Sequence, residues 1–319
     1  MPDDTATTAQ PASPGPAAPD RAPDARRIAV ILNPGSGTMR SEPDRAGRIE
    51  RAFGDRARIL RIGDDGPVKA AERAADKGAT CLVAAGGDGT IAAVAQVASD
   101  RGLEMGVIPG GTFNYVARGY GIPENPEAAA RMILDGTARP VDLGDVGGRV
   151  FLNNLSLGIY PVILTEREDV YGRYGRSRVA AYWSVVKVFA RFQSPLRLRI
   201  ALADGEVAMK TPLLFIARSA YQLREFGLAG EDAIRKGGIA VFAAPSASRW
   251  RMFLAAWRLV RRVMQPGEDF TLYREDAVTI GGPKRALVAA DGEKFKADLP
   301  IRVSVRRGGL NLIHGGGDG

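Results

Sequence analysis

The chain carries a single histidine, His314, and a single cysteine, Cys81. The first scarcity argues against a Ser–His–Asp triad and a His-rich zinc site, and leaves general-base chemistry to Asp or Glu, or to Lys or Tyr. The second excludes an internal disulfide and fits a cytoplasmic protein. Cys81 itself, in an apolar run beside glycines, reads as a small buried apolar residue. No run of about 18 apolar residues occurs, so no bilayer-spanning helix is expected, and the N-terminus has no basic-then-apolar signal pattern. A G-x-x-x-x-G-K-[ST] loop is also missing, which excludes a Walker A site.

What is present is an ordinary globular composition, 45% hydrophobic and 25% charged over 319 residues, which predicts two domains. The net charge of +8 predicts anionic partners: nucleotides, phosphates, nucleic acid or an anionic membrane surface. Residues 1–26 hold Pro2, Pro11, Pro14, Pro16, Pro19 and Pro23 among Ala, Thr and Asp, and are predicted as a disordered tail.

Three apolar runs each end in a glycine turn. Ile28–Leu32 leads into Asn33-Pro34-Gly35-Ser36-Gly37, Cys81–Ala85 into Gly86-Gly87-Asp88-Gly89-Thr90, and Met105–Pro109 into Gly110-Gly111-Thr112-Phe113-Asn114. Helical segments at Val68–Lys77 and Ala128–Leu134 alternate with them, which predicts a parallel sheet covered on both faces. Ligands of such sheets sit beyond the carboxyl ends of the strands, where all three turns lie and can converge on one ligand. After the second turn the composition becomes helical at Thr90–Val97. A strand that turns through glycines into a helix presents free backbone N–H groups to phosphate, and a Cβ there would block close approach. Asp88 is out of place in a bare anion cradle and predicts Mg2+, or a water, between it and the phosphates.

The texture changes near residue 141, which divides a nucleotide-binding α/β domain (27–141) from a β-rich domain (142–319). Leu196, Leu198, Ile200 and Leu202 alternate with Arg197 and Arg199, and Asp204-Gly205 fits a two-residue hairpin. Further strands are predicted at Leu213–Ala217, Ile239–Ala243, Ala277–Ile280, Ala286–Ala290 and Ile301–Val305, with helical insertions over 179–192 and 249–264. Two Asp-Gly-Glu triplets, 204–206 and 291–293, each follow a strand. Spacing alone does not say which could supply a catalytic carboxylate.

Gly87-Asp88-Gly89-Thr90-Ile91-Ala92 also fits the loose dinucleotide pattern G-x-G-x-x-[GA]. The next strand, however, ends in Pro109-Gly110-Gly111-Thr112 rather than in the acidic residue a ribose needs, which argues against hydride transfer. In order and spacing, the first two glycine turns followed by Gly111-Thr112-Phe113-Asn114-Tyr115-Val116-Ala117-Arg118 resemble the diacylglycerol kinase catalytic family, closest to its bacterial lipid-kinase, sphingosine-kinase-like branch. The likeness continues through Asp142-Leu143-Gly144, Phe151-Leu152-Asn153-Asn154-Leu155-Ser156-Leu157-Gly158 and Asp291-Gly292-Glu293, and covers roughly residues 27–307. NAD kinases and phosphofructokinases share the Gly-Gly-Asp-Gly-Thr turn, but the later motifs favour the lipid kinases.

The resemblance implies an α/β N-terminal domain of the NAD-kinase/phosphofructokinase type, with a parallel sheet, and a mainly antiparallel β-sandwich C-terminal domain whose last strand can pack back on the first. It implies transfer of the ATP γ-phosphoryl group, with Mg2+, to the hydroxyl of a lipid alcohol such as diacylglycerol or a sphingoid base. The setting implied is a cytoplasmic protein docking transiently on the anionic inner membrane face, with no nucleic acid partner; the sequence admits a homodimer. Asn33, Ser36 and Gly37 would line the nucleotide phosphates. Gly86, Gly87, Gly89 and Thr90 would cradle them, and Gly111, Thr112 and Asn114 would complete the pocket. Asp88 would act through Mg2+ and Asp291 as general base. Glu293 reads as a metal partner or as a solvated strand residue, and Asp142 as part of the metal network or as a turn aspartate. Many relatives carry Asp where Tyr115 stands, and Gly-Asn-Asn within the stretch matched by Ile216-Ala217-Arg218-Ser219-Ala220. Arg218 then reads as a phosphate or headgroup contact, or as a surface charge. The competing functions are an NAD-kinase-like small-molecule kinase and a non-catalytic ATP- or lipid-binding regulator.

For membrane docking the candidate is Arg249–Met264. Trp250, Phe253, Leu254 and Trp257 recur at i, i+3, i+4 and i+7 with Arg251, Arg258 and Arg262 on another face. A basic amphipathic helix with tryptophans suits an anionic interface, and a helix packed on the β-rich domain is the alternative. The similar pattern of Val179, Tyr182, Trp183, Val186 and Phe189 predicts core packing or the lining of a lipid cleft. The scattered arginines form no RNA-binding motif.

Overall fold

The computed structural model describes residues 26–161, 195–245, 254–255, 257–259, and 261–317. The expected tail, apart from Arg26, lies outside the described residues, as do the expected helix at 179–192 and, within the segment 249–264, residues 249–253, 256 and 260. No helix among the described residues is long and apolar enough to cross a membrane.

The first four strands are β1 (Ile28–Leu32), β2 (Ala57–Arg61), β3 (Cys81–Gly86) and β4 (Glu104–Pro109). They pair in parallel in the order β2-β1-β3-β4. Every residue of β1 and β3 is buried, as continuous apolar strands in a sheet covered on both faces must be. The cover comes from α1 (Gly37–Ser41), α2 (Arg45–Phe53), α3 (Gly66–Asp76), α4 (Asp88–Arg101), α5 (Tyr115–Gly119) and α6 (Pro126–Asp135). Ile49 and Phe53 of α2, Ala70 and Ala74 of α3, Ile91 and Val94 of α4 and Ile133 of α6 join the strands in one core. Pro126 opens α6 behind Asn125, whose side chain accepts the N–H of Ala128 at 2.8 Å, a cap that starts the helix where the sequence supplies one.

The remaining strands are β5 (Ala138–Val146), β6 (Arg149–Phe151), β7 (Asn154–Gly158), β8 (Leu196–Leu202), β9 (Gly205–Thr211), β10 (Leu213–Ala217), β11 (Ile239–Ala243), β12 (Thr271–Glu275), β13 (Ala277–Gly281), β14 (Arg285–Ala290), β15 (Glu293–Asp298) and β16 (Ile301–Ile313). Two short helices, α7 (Ala220–Phe226) and α8 (Glu231–Arg235), follow β10. Six of the strands make an antiparallel sheet in the order β12-β11-β10-β7-β14-β15. It faces β8, β13 and β16 across a second core, where Leu155, Leu157, Ile216, Val241 and Val288 meet Leu198, Ile200, Val278, Ile280 and Val303. That is a sandwich, as expected.

The 13-residue β16 ties the two parts together. Its first residues pair antiparallel with β13, its length pairs antiparallel with β5, and Asn311 and Leu312 pair in parallel with Glu104 and Met105 of β4. One ten-stranded sheet therefore runs from β2 through β16 to β9. Two local expectations shift. The β8–β9 hairpin turns through Ala203-Asp204, one residue early, because Leu202 pairs with Gly205. Asp142 lies inside β5 rather than after a strand.

Candidate active site

The three glycine turns converge at the carboxyl end of β1, β3 and β4, and hydrogen bonds stitch them together. Asn33 donates its backbone N–H to Ala85 O at 2.9 Å and its side-chain amide to Thr90 Oγ1 at 2.9 Å. Its Oδ1 accepts the Gly35 N–H at 3.0 Å, and Ser36 Oγ donates to its carbonyl at 3.1 Å. Thr38 N–H reaches Gly110 O at 3.0 Å, and Gly110 N–H reaches Gly86 O at 2.7 Å.

The glycines are needed where turn meets turn. A Cβ on Gly111 would lie 2.9 Å from Gly87 Cα, one on Gly86 would lie 2.7 Å from Thr90 Oγ1, and one on Gly37 would lie 3.2 Å from Thr112 Oγ1. Backbone thus packs on backbone around the start of α4. The first intrahelical bond there is Ile91 N–H to Gly87 O at 3.0 Å, so the N–H groups of Asp88, Gly89 and Thr90 precede the helical ladder at the positive end of a 14-residue helix. This is the geometry that binds phosphate. All ten residues expected at the nucleotide lie in these three turns and the first turn of α4.

Asp88 is the first residue of α4, and its Oδ2 accepts the N–H of Asn114 at 3.1 Å. Asn114 has φ 51° and closes the third turn by accepting the Gly111 N–H on Oδ1 at 2.9 Å. Burial pushes the Asp88 carboxyl above its ordinary range, against the pull of the Val116, Asn114 and Tyr115 amides. Its other oxygen, Oδ1, is buried without a hydrogen-bond partner among the described residues.

Asp291 arrives from the antiparallel sheet. Ala290 pairs with Glu293, so Asp291-Gly292 forms a two-residue hairpin loop between β14 and β15. Both loop residues have positive φ, 47° and 88°, as the type I′ hairpin requires and as Asp-Gly supplies. The Asp291 carboxylate is held by three backbone donors: Leu152 N–H to Oδ2 at 2.7 Å, and Asn153 and Asn154 N–H to Oδ1 at 2.8 and 3.1 Å. A carboxylate has about four acceptor positions, so one on Oδ2 is left for a fourth donor. Burial pushes this carboxyl up to about 6, the three amides pull it down, and the charge of Asp88 adds to the rise.

Glu293 brings the hairpin to the cradle. A Cβ on Gly89 would lie 2.9 Å from Glu293 Oε1, so this exposed carboxylate stands over the first turn of α4. Asp142 is occupied elsewhere. Its Oδ2 accepts from Arg218 Nη2 at 3.1 Å and its Oδ1 from Gly308 N–H at 2.8 Å. Arg218 is therefore neither a surface charge nor a free headgroup contact: it is buried, and desolvation lowers its pKa.

Tyr115 stacks on Phe113 (centroids 5.5 Å apart, planes at 2°) and meets Phe226 of α7 edge-on at 6.0 Å. Burial first, then neighbouring Tyr160 and acidic groups, push its phenol up to about 12, so a neutral ring stands beside the cradle at physiological pH. Phe113 is 49% exposed. Neither this aromatic ladder nor the amide nest of Leu152–Asn154 follows from the motifs. The only signal for the nest was the Asn153-Asn154 pair in its apolar surroundings.

The residues present suit a hard divalent cation. Asp88 and Asp291 are both raised, one has an orphaned oxygen, and Glu293 stands over the same helix end. No cluster among the described residues would hold a metal through three or more protein side chains. Mg2+ bound by one or two carboxylates and by substrate phosphates has no need of one.

Comparison with known proteins agrees with the motifs. Residues 27–146 match the diacylglycerol kinase catalytic domain. A probable lipid kinase YegS-like of Pseudomonas aeruginosa is 39% identical over 133 residues, 41% of this chain and 43% of that protein. Its namesake in Chromohalobacter salexigens is 31% identical over 193 residues, 59% of this chain and 60% of that protein. The diacylglycerol kinase of Bacillus subtilis is 45% identical over 87 residues, 26% of this chain and 29% of that protein. The chain thus matches less than two thirds of the length of each of these relatives. The fold extends further: the crystal structure of a diacylglycerol kinase from Bacillus anthracis superposes with a TM-score of 0.62 at 18% identity, covering 91% of this chain and 97% of that one.

Proposed function

We propose, from the match of residues 27–146 to the diacylglycerol kinase catalytic domain, that this chain is an ATP-dependent lipid kinase with ATP bound between its α/β and β-rich parts. The observation that carries the reading is the meeting of two distant motifs. The Asp291–Glu293 hairpin of the antiparallel sheet stands over the glycine-lined start of α4.

In this reading the N–H groups of Asp88, Gly89 and Thr90 hold the phosphates, with Asn33, Ser36, Gly37, Gly111, Thr112 and Asn114 shaping the rest of the pocket. Phosphoryl transfer depends mainly on such positioning and on charge neutralisation. Asp88 and Glu293 are the side chains that would hold Mg2+, which when bound neutralises phosphate charge. Asp142, with both oxygens engaged, contributes through the fold rather than as a ligand. Asp291 takes the hydroxyl proton of the acceptor on the open position of Oδ2. As that O–H bond breaks, the acceptor oxygen bonds the γ-phosphorus and the bond to the departing ADP breaks. A carboxyl raised toward neutrality suits a general base better than one near 4, because proton transfer is most effective when the pKa lies near the working pH.

The acceptor is a lipid alcohol, reached at a membrane surface; among the described residues no helix is long and apolar enough to cross it. Trp257, 49% exposed with Arg261 over its ring at 5.0 Å, is the side chain best suited to that surface. Arg258 and Arg262 are drawn instead into ion pairs with Asp269, Glu268 and Glu225.

The test is incubation of purified protein with Mg2+, γ-labelled ATP and mixed micelles of several lipid alcohols. Label entering one lipid class is expected. Label entering NAD and no lipid would replace this reading with that of an NAD-kinase-like enzyme, and nucleotide binding without transfer to any acceptor with that of a regulator.

A further inference from the structure

The Arg218–Asp142 pair has no part in the chemistry just described, yet it joins the two halves of the site. Asp142 lies on β5 and its second oxygen accepts the N–H of Gly308 on β16. Arg218 follows directly on β10 of the antiparallel sheet. Its guanidinium reaches Asp142 at 3.1 Å, while its own backbone N–H donates to Asn153 O at 2.8 Å. The N–H of Ser219 donates to the same carbonyl at 3.3 Å, and Ser219 Oγ caps α7 by accepting the Gln222 N–H at 3.1 Å. The opposite side of this segment holds Asp291, through the N–H groups of Leu152, Asn153 and Asn154. Asn154 is fixed in turn by its side-chain bond to Gln222 Oε1 at 2.9 Å, and Asp291 N–H returns to Asn154 O at 2.9 Å.

We propose that Arg218 is a positioning residue for the Asp291 carboxylate, acting through the Asn153 peptide. The route is short: Asp142 holds the guanidinium, the Arg218 backbone holds the Asn153 carbonyl, and the Asn154 N–H on the other side of that same planar peptide holds Asp291 Oδ1. A buried Arg–carboxylate pair has a defined geometry and little freedom to drift. The backbone hydrogen bond from Arg218 N–H to Asn153 O would survive any substitution but proline, so the anchoring carried by the side chain can be isolated. Lysine can keep a charge near Asp142 but not the planar fork. Methionine keeps much of the apolar stem and removes the charge.

This inference rests on the lipid-kinase reading for its activity readout, so its test has a second readout that does not. Arg218→Met and Arg218→Lys are compared with wild type for kcat, for KM of ATP, and for the backbone amide NMR shifts of Leu152, Asn153 and Asn154 against the rest of the chain. Misplacing a catalytic group by about 1 Å costs on the order of 100-fold. The expectation for Arg218→Met is therefore a kcat roughly 10- to 100-fold lower, an unchanged KM for ATP, and amide shifts centred on 152–154, with part of the rate restored in Arg218→Lys. Should the single variant not fold, the pair Arg218→Gln with Asp142→Asn, neutral on both sides, carries the same test. Unchanged kcat in a folded variant overturns the proposal. So does a loss of kcat accompanied by an equal disturbance of ATP KM and by shifts spread through the chain, because that is general loosening. If wild type labels no lipid, the lipid-kinase reading falls by itself. The amide shifts then decide: a response confined to 152–154 supports the positioning link, and its absence overturns it.

Discussion

Replacing Asp291 by Asn separates the proton-accepting role from the structural one. Burial lifts this carboxyl up to about 6, about two units above its ordinary value. At about 1.4 kcal/mol per unit, the ionised form is disfavoured in the fold by about 3 kcal/mol. A group raised on folding contributes stability that is whole below about pH 4 and is lost as pH rises through about 6. Wild type should therefore lose up to about 3 kcal/mol relative to Asp291→Asn between pH 4 and pH 8. Asn also has a cost that does not change with pH. Its Oδ1 can keep the Asn153 and Asn154 amides, but its NH2 must then face the Leu152 N–H that now donates at 2.7 Å, and two donors facing each other cost about 1–3 kcal/mol. The variant should be less stable than wild type at pH 5, with the gap narrowing or reversing by pH 8. Denaturant titrations at the two pH values measure both effects.

For activity, the base must be ionised. The rate with limiting acceptor should rise with pH through about 6 and level above it, and Asp291→Asn should lower the plateau by roughly 100- to 10,000-fold. Phosphate monoesters also titrate near pH 6, so the acid limb is interpretable only by difference. The limb seen in wild type must be missing or displaced in the residual activity of the variant, under identical nucleotide conditions. An unchanged limb in Asp291→Asn, or a plateau within tenfold of wild type, would refute the assignment of Asp291 as base.

Other expectations follow from single contacts. Gly111→Ala places a methyl 2.9 Å from both Gly87 Cα and Asn114 Oδ1 and should destabilise by about 1–3 kcal/mol as overpacking. Gly63→Ala, whose methyl meets nothing nearer than 3.6 Å, is the control in the same thermal melt. The Cys81 thiol is buried and pushed up to about 12, so iodoacetamide at pH 8 should label it only in denaturant, as mass spectrometry would record. Trp257→Ala should weaken sedimentation with phosphatidylserine vesicles about fivefold, equivalent to about 1 kcal/mol of apolar burial. Arg258→Ala, which breaks an ion pair to the buried Asp269, should lower the melting temperature with less effect on vesicle binding.

Most of the α/β part was legible because its signals are local. Buried parallel strands are continuous apolar runs, and those at Ile28, Cys81 and Met105 each end in glycines. Strands that bury few of their residues left less trace. β2 (Ala57–Arg61) has no fully buried residue, and β15 (Glu293–Asp298) buries only Ala297. β16 was expected to end at Val305 but runs to Ile313. Gly308-Gly309 reads as an end, whereas here it forms the irregularity between Arg306 and Leu310 that lets the strand continue along β5 and reach β4. Arg258 and Arg262 looked like a free basic face because their partners, Glu225, Glu268 and Asp269, lie off the helical period from which that face was inferred.

The two Asp-Gly-Glu triplets show where a local signal runs out. Turn structure and catalysis are not competing accounts of the second: Asp291 is the first residue of a tight hairpin and also a buried carboxylate whose pKa the charge of Asp88 raises. Both triplets border hairpins, so turn chemistry could not separate them. What separates them is the strand beside each hairpin. β14 pairs with β7, directly after the amides of Leu152–Asn154, so Asp291 enters a preformed set of three donors. β9 is the terminal strand of the ten-stranded sheet, and Asp204 is exposed at its turn. The distinction rests on a pairing between residues more than a hundred positions apart, Leu155 with Ala290. Such pairings are decided by packing across the sandwich, to which the turn sequences themselves contribute nothing.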